Sequence, residues 1–177
     1  MKKYIISSIT IILIVLFQFN VFGFMDNLSM FFSPILFGVI LVALLYDLPL
    51  ILFWVIFAGT FIDLYSLLNF GLHPISLFVM VLLVRYFFQK YVTNRTFYTF
   101  TILTAISTFF YYFFLVLLNY MLHLLNLSDF TVQLNLSLYM TILVQIILNS
   151  FLMGLAFLLI SYFTNRLKAN FILKEKF

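Results

Sequence analysis

Cysteine is absent from this chain of 177 residues, which excludes disulfide bonds and thiolate chemistry. Charge is nearly as scarce. Nine Lys and Arg with five Asp and Glu make up only 8% of the residues, too few for a long soluble domain. Signature motifs of several enzyme classes are also missing: there is no HExxH helix, no nucleotide-binding glycine loop and no G-x-S-x-G elbow. No pair of carboxylates suits acid and base work, because the topology derived below puts Asp47 and Asp63 on opposite faces of a membrane. A zinc site would need more ligands than Asp63, His73 and the distant His123 supply. No metal, cofactor or enzymatic activity is therefore expected.

What the chain has in abundance is apolar surface. It is 66% hydrophobic, with 26 Phe and 11 Tyr, and its mean hydropathy is +1.24. Soluble domains of this size do not show such values, so the expectation is an all-α integral membrane protein. The net charge of +4 would point to nucleic acid in a soluble protein. Here the basic residues stand at the ends of apolar runs, where they orient helices in a bilayer, and no nucleic-acid partner is expected. Lys2 and Lys3 precede an apolar run as in a signal peptide, but no A-x-A-like site follows, which predicts a retained first helix.

A hydrocarbon core of about 30 Å takes roughly 20 apolar residues as a helix. Six such runs are separated by polar breaks, at about 4–22, 31–46, 50–68, 74–88, 98–122 and 136–163. They predict one compact bundle of six transmembrane helices, a single domain over 1–177. Ser33 and Pro34 form a cap and first-turn pair for the second run, which Asp47 and Pro49 stop. The segment from His123 to Gln133 has the mixed composition of a short interfacial helix. With Lys2 and Lys3 inside and six crossings, every Lys and Arg falls at an inner end: Lys2, Lys3, Arg85, Lys90, Arg95, Arg166, Lys168, Lys174 and Lys176. The outer loops hold Asp26, Asp129 and both histidines. Both termini are then cytoplasmic, in a multi-pass protein of the inner membrane.

The stretch AGTFIDLYSLLNFGLHP, residues 58–74, is the hardest to explain as lipid-facing filler. Asp63 is the only acid inside an expected span. Such a residue faces the bundle interior, a wet cavity or the interface, and is either functional or a helix-end carboxylate bonding the backbone and hydroxyls around Ser66 and Asn69. Gly71 permits a positive φ, and Pro74 suits the first turn of the fourth helix. His73 reads as a cap or interface residue rather than a ligand.

Elsewhere, Gln145 and Asn149 share a face of the sixth helix beside Ser150 and Gly154, a small-xxx-small pair. Thr101, Thr104 and Thr108 have similar spacing on the fifth helix, and Gln18 lies in the first. These residue types hold membrane helices together by close approach and hydrogen bonding. Arg85, one turn inside an inner helix end, is expected to snorkel to the headgroups without a buried partner.

The sequence Ile62-Asp63-Leu64, then Ser66, then Phe70-Gly71-Leu72-His73-Pro74 resembles the signature of the rod shape-determining MreD family. In that family an aspartate at a helix end precedes a Gly-Leu-His turn into the next helix. Length, helix count, an early glutamine in the first helix and a short basic tail are also similar. The spacer Leu67-Leu68-Asn69 departs from the family in lacking a glycine or proline. The resemblance implies a non-enzymatic component of the machinery that builds the lateral peptidoglycan wall. It would bind the bitopic protein MreC and act through it with MreB, RodA and the partner transpeptidase of RodA. The alternative is the six-helix substrate-binding subunit of an energy-coupling-factor vitamin transporter. Those subunits carry A-x-x-x-A patterns on the first helix, where this chain reads SSITIILIVLFQ.

Overall fold

The computed structural model describes residues 9–11, 13, 14, 16, 18, 33–66, 68–91, 97–126 and 135–174, with backbone alone at 45, 91, 160 and 163–174. The described residues within 9–18 are helical, and five helices follow. They are α1 (Pro34–Leu45), α2 (Leu48–Tyr65), α3 (Leu72–Tyr91), α4 (Phe97–Leu124) and α5 (Leu136–Lys174). No strand occurs among the described residues. Four helices, α2 to α5, are long and apolar enough to cross a membrane. Beyond 9–18, the first expected run lies outside the described residues. So does the expected interfacial element after Asn126, the point to which α4 and a closing turn continue.

The second expected span, 31–46, is shorter than the sequence implies. Helix α1 has 12 residues, about 18 Å at the rise of an α-helix, against a hydrocarbon core of about 30 Å. Local chemistry fixes its start. Ser33 is the N-cap, its hydroxyl accepting from the Leu36 N–H at 3.3 Å, and Pro34 opens the first turn. Helix α1 is apolar all round and accordingly buried over most of its surface: Leu36, Val39 and Ile40 have no exposed surface, and Phe37 and Leu41 are partly buried. It packs against α2, α3, α4 and α5. Its far end is held too. Arg85 of α3 does have a partner, its Nη1 donating to the Tyr46 carbonyl at 3.1 Å. That partner is exposed, so the contact is compatible with an Arg85 side chain that snorkels without a buried partner.

The remaining helices pack in chain order, α2 on α3, α3 on α4 and α4 on α5. One apolar cluster joins all of them, from Ile11 through Ile51, Val81 and Leu115 to Met153. Polarity is arranged inside out. On α4 the buried stripe carries Thr104, Ser107, Thr108, Tyr111 and Asn119, while Ile102, Phe109 and Phe113 are exposed. Water would not tolerate that outer surface, whereas lipid tails would.

Candidate functional site

Among the described residues of the stretch 58–74, residues 58–65 end α2, residues 66 and 68–71 belong to the connection, and residues 72–74 begin α3. Helix α2 ends at Tyr65, three residues before the end of the expected run. Ser66 follows in an extended conformation, and its hydroxyl accepts from the Leu68 N–H at 3.0 Å, so a serine-centred turn leads the chain away from the helix. Gly71 adopts φ +98°, the left-handed region open to glycine.

Four N–H groups at the start of any α-helix lack an intrahelical partner, and at α3 each is accounted for. The Gly71 N–H donates to Asp63 Oδ2 at 2.6 Å, and the His73 N–H donates to Asp63 Oδ1 at 3.2 Å. The Leu72 N–H donates to the Asn69 carbonyl at 3.3 Å. Pro74 has no N–H to satisfy. Regular helical bonding then starts with the Ile75 N–H on the Gly71 carbonyl at 3.2 Å. Asp63 is therefore a cap supplied across the turn by the preceding helix. It bonds the backbone, as expected of a helix-end carboxyl group, through the amides of Gly71 and His73. With Asp63 only 4% exposed, these bonds take the place of most of its contact with solvent.

The side chain of His73 is also used. Its Nδ1 lies 2.7 Å from the hydroxyl of Tyr111, which is buried in the middle of α4. Pro74 faces back to α2 and touches Gly59: a β-carbon on Gly59 would stand 2.6 Å from Pro74 Cα and 2.8 Å from its nitrogen. Gly59 and Asp63, one helical turn apart, thus hold the start of α3 together, the first by close approach and the second by hydrogen bonds. Sequence reading did not single out Gly59 or Tyr111. The i, i+4 spacing of Gly59 and Asp63 was a signal for the first, but nothing in the sequence marks Tyr111 among eleven tyrosines.

The other expected packing residues are distributed through the bundle. Gln18 Oε1 accepts from the Ile35 N–H at 3.1 Å, so α1, like α3, is capped by a side chain from the segment before it. Gln145 Oε1 accepts from the Tyr112 hydroxyl at 2.6 Å, and Asn149 Nδ2 donates to Thr108 Oγ1 at 3.4 Å, both joining α5 to α4. Gly154 receives the Phe97 ring. Thr101 and Thr104 instead bond carbonyls of their own helix. Of the expected residues, only Asp63, Gly71, His73 and Pro74 converge on one place.

This chain matches no family model, no curated protein and no solved structure. Among the described residues, no three His, Cys, Asp or Glu side chains gather as a metal would require. A half-open groove of about 650 Å³ runs between α4 and α5, lined mainly by apolar side chains such as Phe109, Phe113, Val116, Leu143 and Ile146, with Tyr112, Asn119, Tyr120 and Tyr139 as polar members.

Proposed function

We propose that this protein is a non-enzymatic scaffold or coupling subunit of the bacterial cell-elongation complex, embedded in the cytoplasmic membrane. In this reading six segments enter the bilayer, α1 completing the second of them, and both termini are cytoplasmic. The inside-out polarity of the bundle and the basic residues at the expected inner ends support the topology. The observation that carries the functional reading is the use made of the MreD-like motif. Both oxygens of Asp63 accept main-chain amides, His73 meets Tyr111, and Pro74 seats on Gly59. The motif shapes a helix hairpin, which on this topology faces the outside, and a shaped hairpin suits recognition better than chemistry.

The partner implied by the resemblance is an MreC-like bitopic protein, and through it MreB, RodA and its transpeptidase. Co-purification of the tagged full chain with the MreC-like protein from the same cell tests the reading. A stable complex is expected, together with rounding of cells on depletion. A folded, membrane-inserted protein that never captures that partner would overturn the proposal.

The groove between α4 and α5 favours a second reading, a membrane subunit that binds a vitamin-sized ligand, since about 300–1,000 Å³ is usual for such sites. Saturable vitamin binding by the purified protein, weakened by Leu143→Trp within the groove, would select it.

A further inference from the structure

Tyr111 and Tyr112 are consecutive on α4 and serve opposite neighbours. Successive side chains on an α-helix diverge by about 100°, so Tyr111 reaches α3, at His73 Nδ1, while Tyr112 reaches α5, at Gln145 Oε1. Their rings touch, with centroids 5.0 Å apart. His73 in turn presents its N–H to Asp63 of α2. A chain of contacts therefore crosses all four membrane-length helices in the order Asp63, His73, Tyr111, Tyr112, Gln145, its links hydrogen bonds except for the ring contact between the two tyrosines. Apart from this chain, the Asn149–Thr108 bond and the Gly59–Pro74 contact, these helices meet mainly through apolar side chains, and apolar contacts are tolerant of small sliding movements. Directional bonds in a low-dielectric interior are not.

We propose that α4 is a two-sided coupling element: rotation or displacement of α4 that breaks the Tyr112–Gln145 bond also draws Tyr111 from His73 and loosens the capped start of α3. The position of α5 and the order of the α2–α3 turn are then linked. A partner that grips one surface is felt at the other. The inference concerns the fold itself and stands whether or not the elongation-complex reading holds.

Amide hydrogen exchange on the full chain in lipid nanodiscs tests it, with the Gly71 and His73 amides as the readout and the Ile35 amide, capped by Gln18, as the internal reference. Tyr112→Phe and Gln145→Met each remove the bond on the α5 side, from opposite partners. Each is expected to speed exchange at Gly71 and His73 about fivefold, the effect of one net hydrogen bond, and to leave Ile35 unchanged. In a Tyr111→Phe background neither should add anything, because the link is already cut. Tyr120→Phe, at an exposed position on the same helix, should have no effect. Unchanged exchange at Gly71 and His73 in both variants overturns the proposal. A parallel rise at Ile35 or an equal effect of Tyr120→Phe does so too, since either would mean general loosening.

Discussion

Gly59 of α2 lies against Pro74 of α3 so closely that any β-carbon at Gly59 would overlap the proline ring and backbone. The contact is backbone to backbone, so neither side can yield by changing a rotamer. Four residues on, Asp63 reaches the amides on either side of Leu72, and the two contacts together fix where α3 begins.

Gly59→Ala is expected to destabilise the bundle by about 1–3 kcal/mol, the cost of overpacking, despite the helix propensity alanine gains. Gly154→Ala is the control. Its new β-carbon would press on the edge of the Phe97 ring, at 2.8 and 2.9 Å, with Thr101 Cγ2 at an ordinary contact of 3.4 Å, and a ring can swing aside. Unfolding midpoints in detergent should fall clearly for the first and little for the second.

Replacing Asp63 separates charge from hydrogen bonding. Asp63→Asn keeps an acceptor for one amide, whereas Asp63→Leu leaves both the Gly71 and His73 N–H groups without partners, at about 1–3 kcal/mol for each buried group. Stability should follow the order Asp, Asn, Leu. Complex formation with the proposed MreC-like partner is expected to be lost in Asp63→Leu while membrane insertion persists, and capture at the wild-type level would refute a link between this turn and that partner.

Gly71→Ala acts through the backbone alone, because nothing lies within 4 Å of the position of its β-carbon. With φ at +98°, the variant should lose about 1 kcal/mol with no change in packing. Unfolding midpoints compared with those of Gly59→Ala would show the smaller loss. An equal loss would mean that the turn also needs glycine for space.

Tyr111→Phe should leave His73 Nδ1 unpaired in a buried site, at a cost of about 1–3 kcal/mol. Combining it with His73→Leu should cost less than the sum of the two changes, since the second removes the group the first orphaned. A double-variant cycle of unfolding free energies in detergent gives the coupling directly, and strict additivity would count against the His73–Tyr111 bond.

Much of the architecture was legible because lipid-compatible helices announce themselves. Long apolar runs separated by Gly, Pro and polar residues placed α2 to α5 within a few residues of their ends, apart from the extended far end of α5. Residues 58–74 stood out because an aspartate in such a run needs a partner. The true length of α1 was harder to read. Its composition matches that of a full span, and although the Ser33-Pro34 pair marks its start, the partners Gln18 and Arg85 at its two ends were not legible.

By itself the sequence determined the all-helical, apolar character of the protein, the approximate helices and the place where polarity concentrates, because hydropathy, helix capping and backbone permissiveness are properties of local residues. Which amides Asp63 caps, which tyrosine meets His73 and which glycine receives Pro74 were decided only by the tertiary structure. Those pairings depend on how two helices cross and at what register, and many apolar side chains of similar size support several crossings equally well. The buried polar groups select one, since each must find its partner where water cannot supply it.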